Sequence, residues 1–437
     1  MTKKAIVVGA GLAGCEAAWQ LATRGINVTL FEMKKHKKNP AQSLSTMAEL
    51  VCSNSLRSDR LSNAVGLLKE EMRRLGSLVM LAADNTSVPA GGALAVDRDN
   101  FSKMIDESIR KHPNITVVEE EFTKIQEDVP TIIATGPLTS DALAEVISNL
   151  DGVKELHFYD AAAPIVTAES IDMSKSYLLS RYNRGADYIN CPLTKEEYFN
   201  FTRELQNAKV APIHGFEEKA VFEGCMPIES MAKRGELAMA YGPLKPVGLP
   251  DPKTGITPFA VVQLRQDNHN ATLYNLVGFQ TRLTFPEQRR VFGLIPGLEN
   301  AAFERYGVMH RNTFLHSPGF LDDTYRVINQ PNLYFAGQIT GVEGYVESAA
   351  SGLLSSLILS YRLRDLTPPK FNGKTAIGAM ARYISTENKR FQPMNCAYGL
   401  LDPLEIKPGE KKIKNKVERY EKIAQRALTQ LSETIKY

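Results

Sequence analysis

The sequence predicts an α/β fold with a smaller α+β unit inserted into it, and three observations carry that expectation. Residues 5–32 run from an apolar strand through a glycine turn into a helix, then out along a second strand that ends on an acid. A second strand–glycine–helix unit lies at 332–362, near the far end of the chain. Between the two, from about Ile171 to Pro296, the chain is rich in Tyr, Phe, Pro and charged residues. That middle stretch carries the short apolar and alternating runs typical of sheet.

Each element has a physical reason. Ala5–Val8 is a short apolar run of the kind that forms a strand buried on both faces. Gly9, Ala10, Gly11, Leu12, Ala13 and Gly14 follow at once. In this spacing Gly9 permits the tight turn, Gly11 lets backbone approach a pyrophosphate, and Gly14 lets the helix pack close to the strand. The helix N-terminus adds N–H donors and a partial positive charge. The helix is expected over Glu16–Arg24, with Ala17, Ala18, Leu21 and Ala22 at helical spacing and Gly25 as its C-cap. A strand over Asn27–Phe31 ends at Glu32, placed to accept from ribose hydroxyls and to repel a 2′-phosphate. Strand, glycines, helix and terminal acid in this order describe a Rossmann-type dinucleotide site.

Pro130–Thr135 is a further short strand, ending in the small-residue turn Thr135–Gly136. Asn332–Ala336 is another, leading through Gly337 and Gln338 to Tyr345 and a helix expected over Val346–Arg362. A second helix N-terminus can then face the cofactor, one holding the pyrophosphate and the other stabilising negative charge on a reduced ring. A single nicotinamide needs only one, so the arrangement fits FAD better than NAD and suggests a glutathione-reductase-like FAD-binding domain. In the middle, Phe259–Leu264 and Tyr274–Phe279 read as strands separated by the polar turn Asp267–Asn270. The expected division is 1–168 for the first part of the FAD-binding domain, 169–298 for an inserted substrate domain, and 299–437 for the second part with a C-terminal helix.

Composition bounds the rest. A chain of 437 residues is long enough for two or three domains of ~150 residues. With 43% apolar and 23% charged residues it is neither a disordered chain, a collagen-like rod nor a coiled coil. A balance of 52 basic against 49 acidic residues, +3 overall, does not announce a nucleic-acid partner but leaves room for local patches. Lys34–Lys38 is one candidate, and the run Lys411, Lys412, Lys414 and Lys416 is another. The second leads into an amphipathic helix with Val417, Tyr420, Ile423, Leu428 and Leu431 on one side. Ala5–Val8 is too short for a signal-peptide core, and Gly352–Leu359 is far below the ~20 residues that span a bilayer. A soluble cytoplasmic protein without membrane contact is expected.

There are five cysteines, Cys15, Cys52, Cys191, Cys225 and Cys396, an odd and sparse set that is no disulfide framework. Cys15 lies in the first helix against the glycine turn, where only small side chains fit, and is expected to be structural. Cys191 and Cys396 stand in contexts without a neighbouring base or cation and are read the same way. Cys52 differs, because Val51–Ser58 packs its thiol among hydroxyls, an amide and Arg57. Cys225 follows Gly224 and precedes Met226–Pro227, a loop-like setting. Thiolates are the nucleophiles, and a nearby cation favours them. With no Cys-x-x-Cys pair and no metal-ligand spacing, neither a dithiol relay nor a metal is expected.

Six blocks narrow the function. They are Gly9–Gly14, Glu49–Arg57, Val88–Arg98, Phe222–Glu229, Met309–Phe314 and Tyr334–Gly352. Together they resemble the TrmFO family of bacterial FAD- and folate-dependent tRNA (uracil-5-)-methyltransferases, from the first strand to the C-terminal region. The resemblance implies that 5,10-methylenetetrahydrofolate supplies a one-carbon unit through reduced FAD to C5 of a uridine in the tRNA T-loop, with NAD(P)H as reductant. It makes Cys225 the thiolate that adds to uracil C6 and Cys52 the second essential thiol, lying against the flavin. It places Tyr345 to stack on the isoalloxazine or the pterin, and offers Arg311 and Glu343 as contacts to folate or RNA. Gln338 stands where many FAD proteins carry an aspartate. The implied partners are tRNA, folate and a nicotinamide nucleotide, with no obligate protein partner.

Other readings stay open on the residues alone. The same chemistry on a ribosomal RNA uridine uses the same motifs. A flavin oxidoreductase acting on a small molecule would leave Cys52 and Cys225 incidental. A wobble-uridine modifier working with a GTPase shares the fingerprint but is much longer, and a non-enzymatic dinucleotide-binding regulator leaves both thiol loops unexplained.

Overall fold

The computed structural model describes residues 3–38, 42–153, 155–161, 163–182, 185–211, 226–307, 309–388, 391–405 and 413–435, with 155–161 and 309–313 described as backbone. The chain opens with β1 (Lys4–Val8), whose residues Ala5–Val8 are buried. Helix α1 (Leu12–Ala22) begins four residues earlier than its apolar spacing suggests, because the glycine turn leads directly into the first helical turn. Its C-cap is Thr23, and Gly25, with φ +78°, instead makes the reversal into β2 (Asn27–Phe31). Next come β3 (Ser55–Ser58), α2 (Ala64–Arg74), α3 (Leu78–Asn85), β4 (Ser87–Val88) and β5 (Ala93–Val96). They are followed by α4 (Arg98–Lys111), β6 (Ile115–Val118), β7 (Thr131–Ile133) and α5 (Asp141–Ser148). Helices α3, α4 and α5 are capped by Ser77, Asp97 and Ser140, whose side chains accept from a backbone N–H of the first turn.

The middle of the chain forms β8 (Glu155–Ala161), β9 (Ile165–Thr167), β10 (Tyr177–Leu178) and β11 (Tyr188–Leu193). Helix α6 (Lys195–Asn207) follows, opened by a capping box between Thr194 and Glu197. Then come α7 (Ile228–Arg234), α8 (Ala238–Tyr241), β12 (Ala260–Gln266), β13 (Leu273–Leu276), α9 (Phe285–Phe292) and β14 (Phe303–Arg305). The chain closes with β15 (Met309–Leu315), β16 (Leu333–Phe335), α10 (Tyr345–Leu363), α11 (Ala376–Ser385) and α12 (Lys416–Thr434).

Two sheets organise the molecule. The first is five-stranded in the order β16-β7-β1-β2-β6, with every neighbouring pair parallel. A parallel sheet is covered on both faces, which explains its short continuous apolar strands. Helices α1 and α10 pack together on it, with Gly14 letting α1 close on the turn after β1 and Gly352 letting α10 close on α1. A Cβ on Gly14 would lie 1.7 Å from the Gly9 carbonyl oxygen, and one on Gly352 would lie 2.2 Å from that of Ala13. The second sheet is antiparallel, in the order β10-β11-β12-β13-β9-β14. Its own core includes Val166, Tyr198, Phe201, Val262, Leu264, Phe279 and Phe292. Ile165–Thr167 and Phe303–Arg305 join it from a few residues outside 169–298, and β8 pairs antiparallel with β15 as a separate two-stranded sheet. A Rossmann-type sheet carrying an inserted α+β unit is thus the observed architecture.

Two surface expectations change. Lys34 is buried and ion-paired with buried Glu49, Lys35 pairs with Glu119, Lys37 with Glu121 at 2.9 Å, and Lys38 donates to the Ser43 carbonyl. The Lys34–Lys38 run is therefore largely neutralised within the chain and is no free basic patch. In α12 the buried stripe is Ile423, Ala424, Ala427, Leu428 and Leu431, while Tyr420 stacks on Tyr398. Val417 is 54% exposed and lies off that stripe. Lys414 and Lys416 are exposed, and Lys411 and Lys412 fall outside the described residues. Among the described residues no helix is long and apolar enough to cross a membrane.

Candidate cofactor cleft and thiol loop

The C-terminal ends of parallel strands are where such sheets bind ligands. The ends of β1, β2, β7 and β16 here open into a cleft lined by Gly9, Gly11, Leu12, Ala13, Glu32, Thr135, Gly136, Gly337, Gln338 and Tyr345 among others. Gly9 holds φ +92°, and a Cβ on Gly11 would meet nothing within 4 Å, so a side chain there would stand in the cleft. Ala10 and Gly14 lie behind the turn. Ala10 donates its N–H to Glu32 Oε2 (2.7 Å), while Lys34 N–H reaches Glu32 Oε1 (2.8 Å). Those two bonds fix the carboxylate at the end of β2. No lysine or arginine stands among the described lining residues, so a pyrophosphate would be met by the N–H groups of the glycine turn and α1. The donor set fits a dinucleotide such as FAD.

On the far wall, Thr135 Oγ1 bonds Thr139 Oγ1 (2.7 Å), and Gly337, at φ +84°, donates its N–H to Ser351 Oγ (2.6 Å). Gln338 lines the cleft but donates Nε2 to Glu343 Oε2 (2.6 Å). Glu343 is buried, and that bond turns one of its carboxylate oxygens towards Gln338.

The cleft meets the Cys52 loop at Tyr345, the first residue of α10. The Tyr345 hydroxyl accepts the N–H of Cys52 (2.7 Å) and that of Ser53 (3.3 Å), and lies 2.9 Å from Cys52 Sγ. With two donors pointing at its oxygen, its own proton is directed to the sulfur. Burial, and then the neighbouring Cys52 charge, push the phenol far above the ordinary tyrosine range, so it stays a neutral donor. The expected stacking residue therefore also holds one of the two expected thiols.

The loop is supported from beneath. Lys69, fully buried on α2, donates Nζ to the carbonyls of Leu56 (3.0 Å) and Arg57 (3.1 Å), and burial pulls its ammonium down to about 8. Arg57 sits at φ +62° and pairs with buried Glu347, which also accepts the Cys396 N–H (2.7 Å). Neither Lys69 nor Glu347 stands out in the sequence. The only signal for Lys69 is a charged residue among the apolar positions of an amphipathic helix.

The remaining described thiols are buried and inert. Cys15 Sγ–H donates to the Ala10 carbonyl (3.3 Å), and burial raises it well above the usual thiol range. Burial pushes Cys191 up to about 12 and raises Cys396 strongly. Cys225 lies outside the described residues, as does the side chain of Arg311 on β15. The segment after Cys225 is firmly anchored. Ile228 N–H bonds the Gln280 carbonyl (2.8 Å), and buried Glu229 accepts from Thr281 Oγ1 (2.8 Å) and Arg282 N–H (2.9 Å).

Comparison with known proteins identifies the family. Residues 4–366 match the family model of glucose inhibited division protein A. The chain is 59% identical over 438 residues to the methylenetetrahydrofolate–tRNA-(uracil-5-)-methyltransferase TrmFO of Lactobacillus gasseri, covering 100% of this chain and 99% of that one. The TrmFO proteins of Acetivibrio thermocellus and Streptococcus pneumoniae are 57% and 58% identical, with 98% of both chains covered in each case. Among solved structures, GidA of Aquifex aeolicus shares the fold with a TM-score of 0.70 at 16% identity, over 99% of this chain and 76% of that one. Identical at more than half of its positions to these relatives along their whole length, the chain belongs to the TrmFO family.

Proposed function

We propose that the protein is a methylenetetrahydrofolate–tRNA (uracil-5-)-methyltransferase that places a methyl group on C5 of a T-loop uridine, with FAD as its cofactor and NAD(P)H as reductant. The observation that carries this reading is the near full-length match to enzymes of that name. The cleft and thiol loop give it a physical basis. FAD, when bound, would relay the one-carbon unit of 5,10-methylenetetrahydrofolate to the uracil and supply the hydride that completes the methyl group.

The protein's own residues would do the rest. The backbone of Gly9–Gly14 and the start of α1 would receive the pyrophosphate, and Glu32 would accept from the adenosine ribose. Thr135, Gly136, Gly337 and Gln338 would line the opposite wall. Tyr345 would present its ring to the cofactor or the pterin while its hydroxyl keeps Cys52 at the cleft. Carbon 5 of uracil is a poor nucleophile until a thiolate adds to C6 and pushes an electron pair towards C5 and O4. Cys225 is assigned that attack, and its sulfur leaves again when the ring double bond is restored. Arg311 and Glu343 are kept as candidate contacts to folate or RNA. The inserted unit over 169–298 is read as the substrate domain. The enzyme is read as cytoplasmic, acting on tRNA and folate without an obligate protein partner.

The test is to incubate the protein with unmodified tRNA and ribosomal RNA transcripts, labelled methylenetetrahydrofolate and NADPH, and to map the labelled nucleotide. Label in a T-loop uridine of tRNA is expected. Label confined to ribosomal RNA, or none in any RNA, would overturn the reading.

A further inference from the structure

The Cys52 loop is gripped by two buried guanidiniums, one from each sheet's domain. Arg98, the first residue of α4, donates Nη1 to the Leu50 carbonyl and Nε to Asp267 Oδ1 (3.0 Å). Arg265, on β12 of the inserted sheet, donates Nε to Asn54 Oδ1 (2.9 Å) and Nη2 to Ser53 Oγ (2.7 Å) and Asn275 Oδ1 (3.4 Å). Asn54 in turn donates Nδ2 to the carbonyls of Val96 (3.0 Å) and Gln266 (2.9 Å). One arginine therefore holds the residue two before Cys52, and the other holds the two residues after it.

The two cations differ in their counter-charges. Arg98 is ion-paired with Asp267 at 2.9 Å. The bonds of Arg265 go to neutral oxygens, those of Asn54, Ser53 and Asn275 together with the Tyr188 hydroxyl. A buried charge is costly unless compensated, and here two guanidiniums share the single carboxylate of Asp267, so a working thiol beside them meets a surplus of positive charge. Both guanidiniums lie close enough to Cys52 to feel its charge. The described groups facing this loop include Tyr345 from α10, Arg98 from α4, Arg265 from β12, Tyr188 from β11 and Asp267 from the β12–β13 turn, with Lys69 of α2 and the Arg57–Glu347 ion pair on its far side. Asp267 offsets Arg98, and both tyrosines are held neutral by burial. Two guanidiniums against the one carboxylate of Asp267 leave these described groups with a positive balance beside the sulfur.

We infer that Arg265, supported by Arg98, is a positioning residue that fixes the Cys52 loop and supplies the positive field in which the sulfur works as an anion. This rests on reading Cys52 as a working thiol. It also makes the inserted domain contribute to the flavin-side thiol, not only to RNA.

The test is the pH profile of Cys52 alkylation by iodoacetamide in the flavin-loaded full chain, followed on the Cys52 peptide by mass spectrometry. An opposite charge within ~4–6 Å moves a titration by about one to three pH units. Arg265→Gln should move the Cys52 midpoint up by about one unit and slow alkylation near neutral pH about tenfold, with Arg265→Lys recovering part of the rate. Arg265→Gln removes bonds as well as charge, so a second variant separates the two. Among the described residues Asn275 Nδ2 is a buried donor with no partner, and Asn275→Asp keeps the acceptor that Arg265 uses while adding a carboxylate against it. Asn275→Asp should fold normally and still shift the Cys52 midpoint upward. A wild-type profile in folded Asn275→Asp overturns the inference, whatever Arg265→Gln does to the melting temperature. Full methyl transfer by Cys52→Ala would instead defeat the reading of Cys52 as a working thiol, so the two failures are distinguishable.

Discussion

The hydroxyl of Tyr345 accepts the backbone N–H of Cys52 at 2.7 Å and lies 2.9 Å from its sulfur, joining residues 293 positions apart in the chain. The contact ties the helix that closes the cofactor cleft to the loop that carries Cys52. Anything that moves α10 therefore moves Cys52. A hydrogen bond to a charged group contributes about 1.5–3 kcal/mol. Tyr345→Phe is expected to keep the flavin and to lower the rate of methyl transfer roughly 10- to 100-fold. Single-turnover measurements on the flavin-loaded variant check this, and an unchanged rate would sever the tyrosine from the chemistry.

The two inner glycines of the turn should fail in different ways. Gly14→Ala drives a Cβ to 1.7 Å from the Gly9 carbonyl oxygen, so loss of folding is expected. Gly11→Val meets open space, so the chain should fold with a near-native core and yet not retain flavin. Melting curves together with absorbance of the purified variants distinguish the two. A yellow Gly11→Val protein would argue against this cleft as the cofactor site.

Lys34 belongs to the fold, not to a polyanion contact. Removing one partner of a buried ion pair leaves the other charge uncompensated, at a cost of about 3–5 kcal/mol. Lys34→Ala should thus destabilise the protein strongly through buried Glu49, while Lys35→Ala, at an exposed pair, should cost less than about 1 kcal/mol. Chemical denaturation of both variants checks the contrast, and equal effects would contradict it.

Glu71 gives the fold a pH signature. Burial raises its carboxyl from the ordinary range to about 7, against the opposing N–H bonds from Ala376 and Ile377 at the start of α11. A carboxyl whose pKa is higher folded than unfolded binds more protons in the native state. Its contribution to stability is complete below the unfolded value of ~4.3 and is lost as pH rises towards about 7. Glu71→Gln should therefore lose less stability than wild type between about pH 5 and about pH 8. Parallel denaturation curves at those two pH values would contradict the assignment if the wild-type and variant losses match.

Much of this site is legible in the sequence because local rules fix it. The glycine turn, the strand ending at Glu32 and the turn at Gly337–Gln338 are set by sterics and short-range hydrogen bonds, and they meet in one cleft because parallel strands point the same way. The start of α1 lies ahead of its apolar spacing, since glycines and alanines at a helix N-terminus give no periodic pattern to read. What local reading could not supply is pairing across the chain. The Lys34–Lys38 run looks like a basic patch until Glu49, Glu119 and Glu121 fold against it. Arg98 and Arg265 are ordinary arginines until two domains close around Asn54 and Leu50. Buried charge of this kind is specified by tertiary contact, and no spacing rule announces it.

The central claim is that a flavin-bound folate carbon, and not another donor, becomes the methyl group of a T-loop uridine with Cys225 as the attacking thiol. Parallel reactions with labelled methylenetetrahydrofolate and with labelled S-adenosylmethionine, on the wild-type protein and on Cys225→Ala, test it most directly. Label is expected from folate alone, at one T-loop uridine, and none in flavin-loaded Cys225→Ala. Label from S-adenosylmethionine, or full transfer by Cys225→Ala, would contradict it.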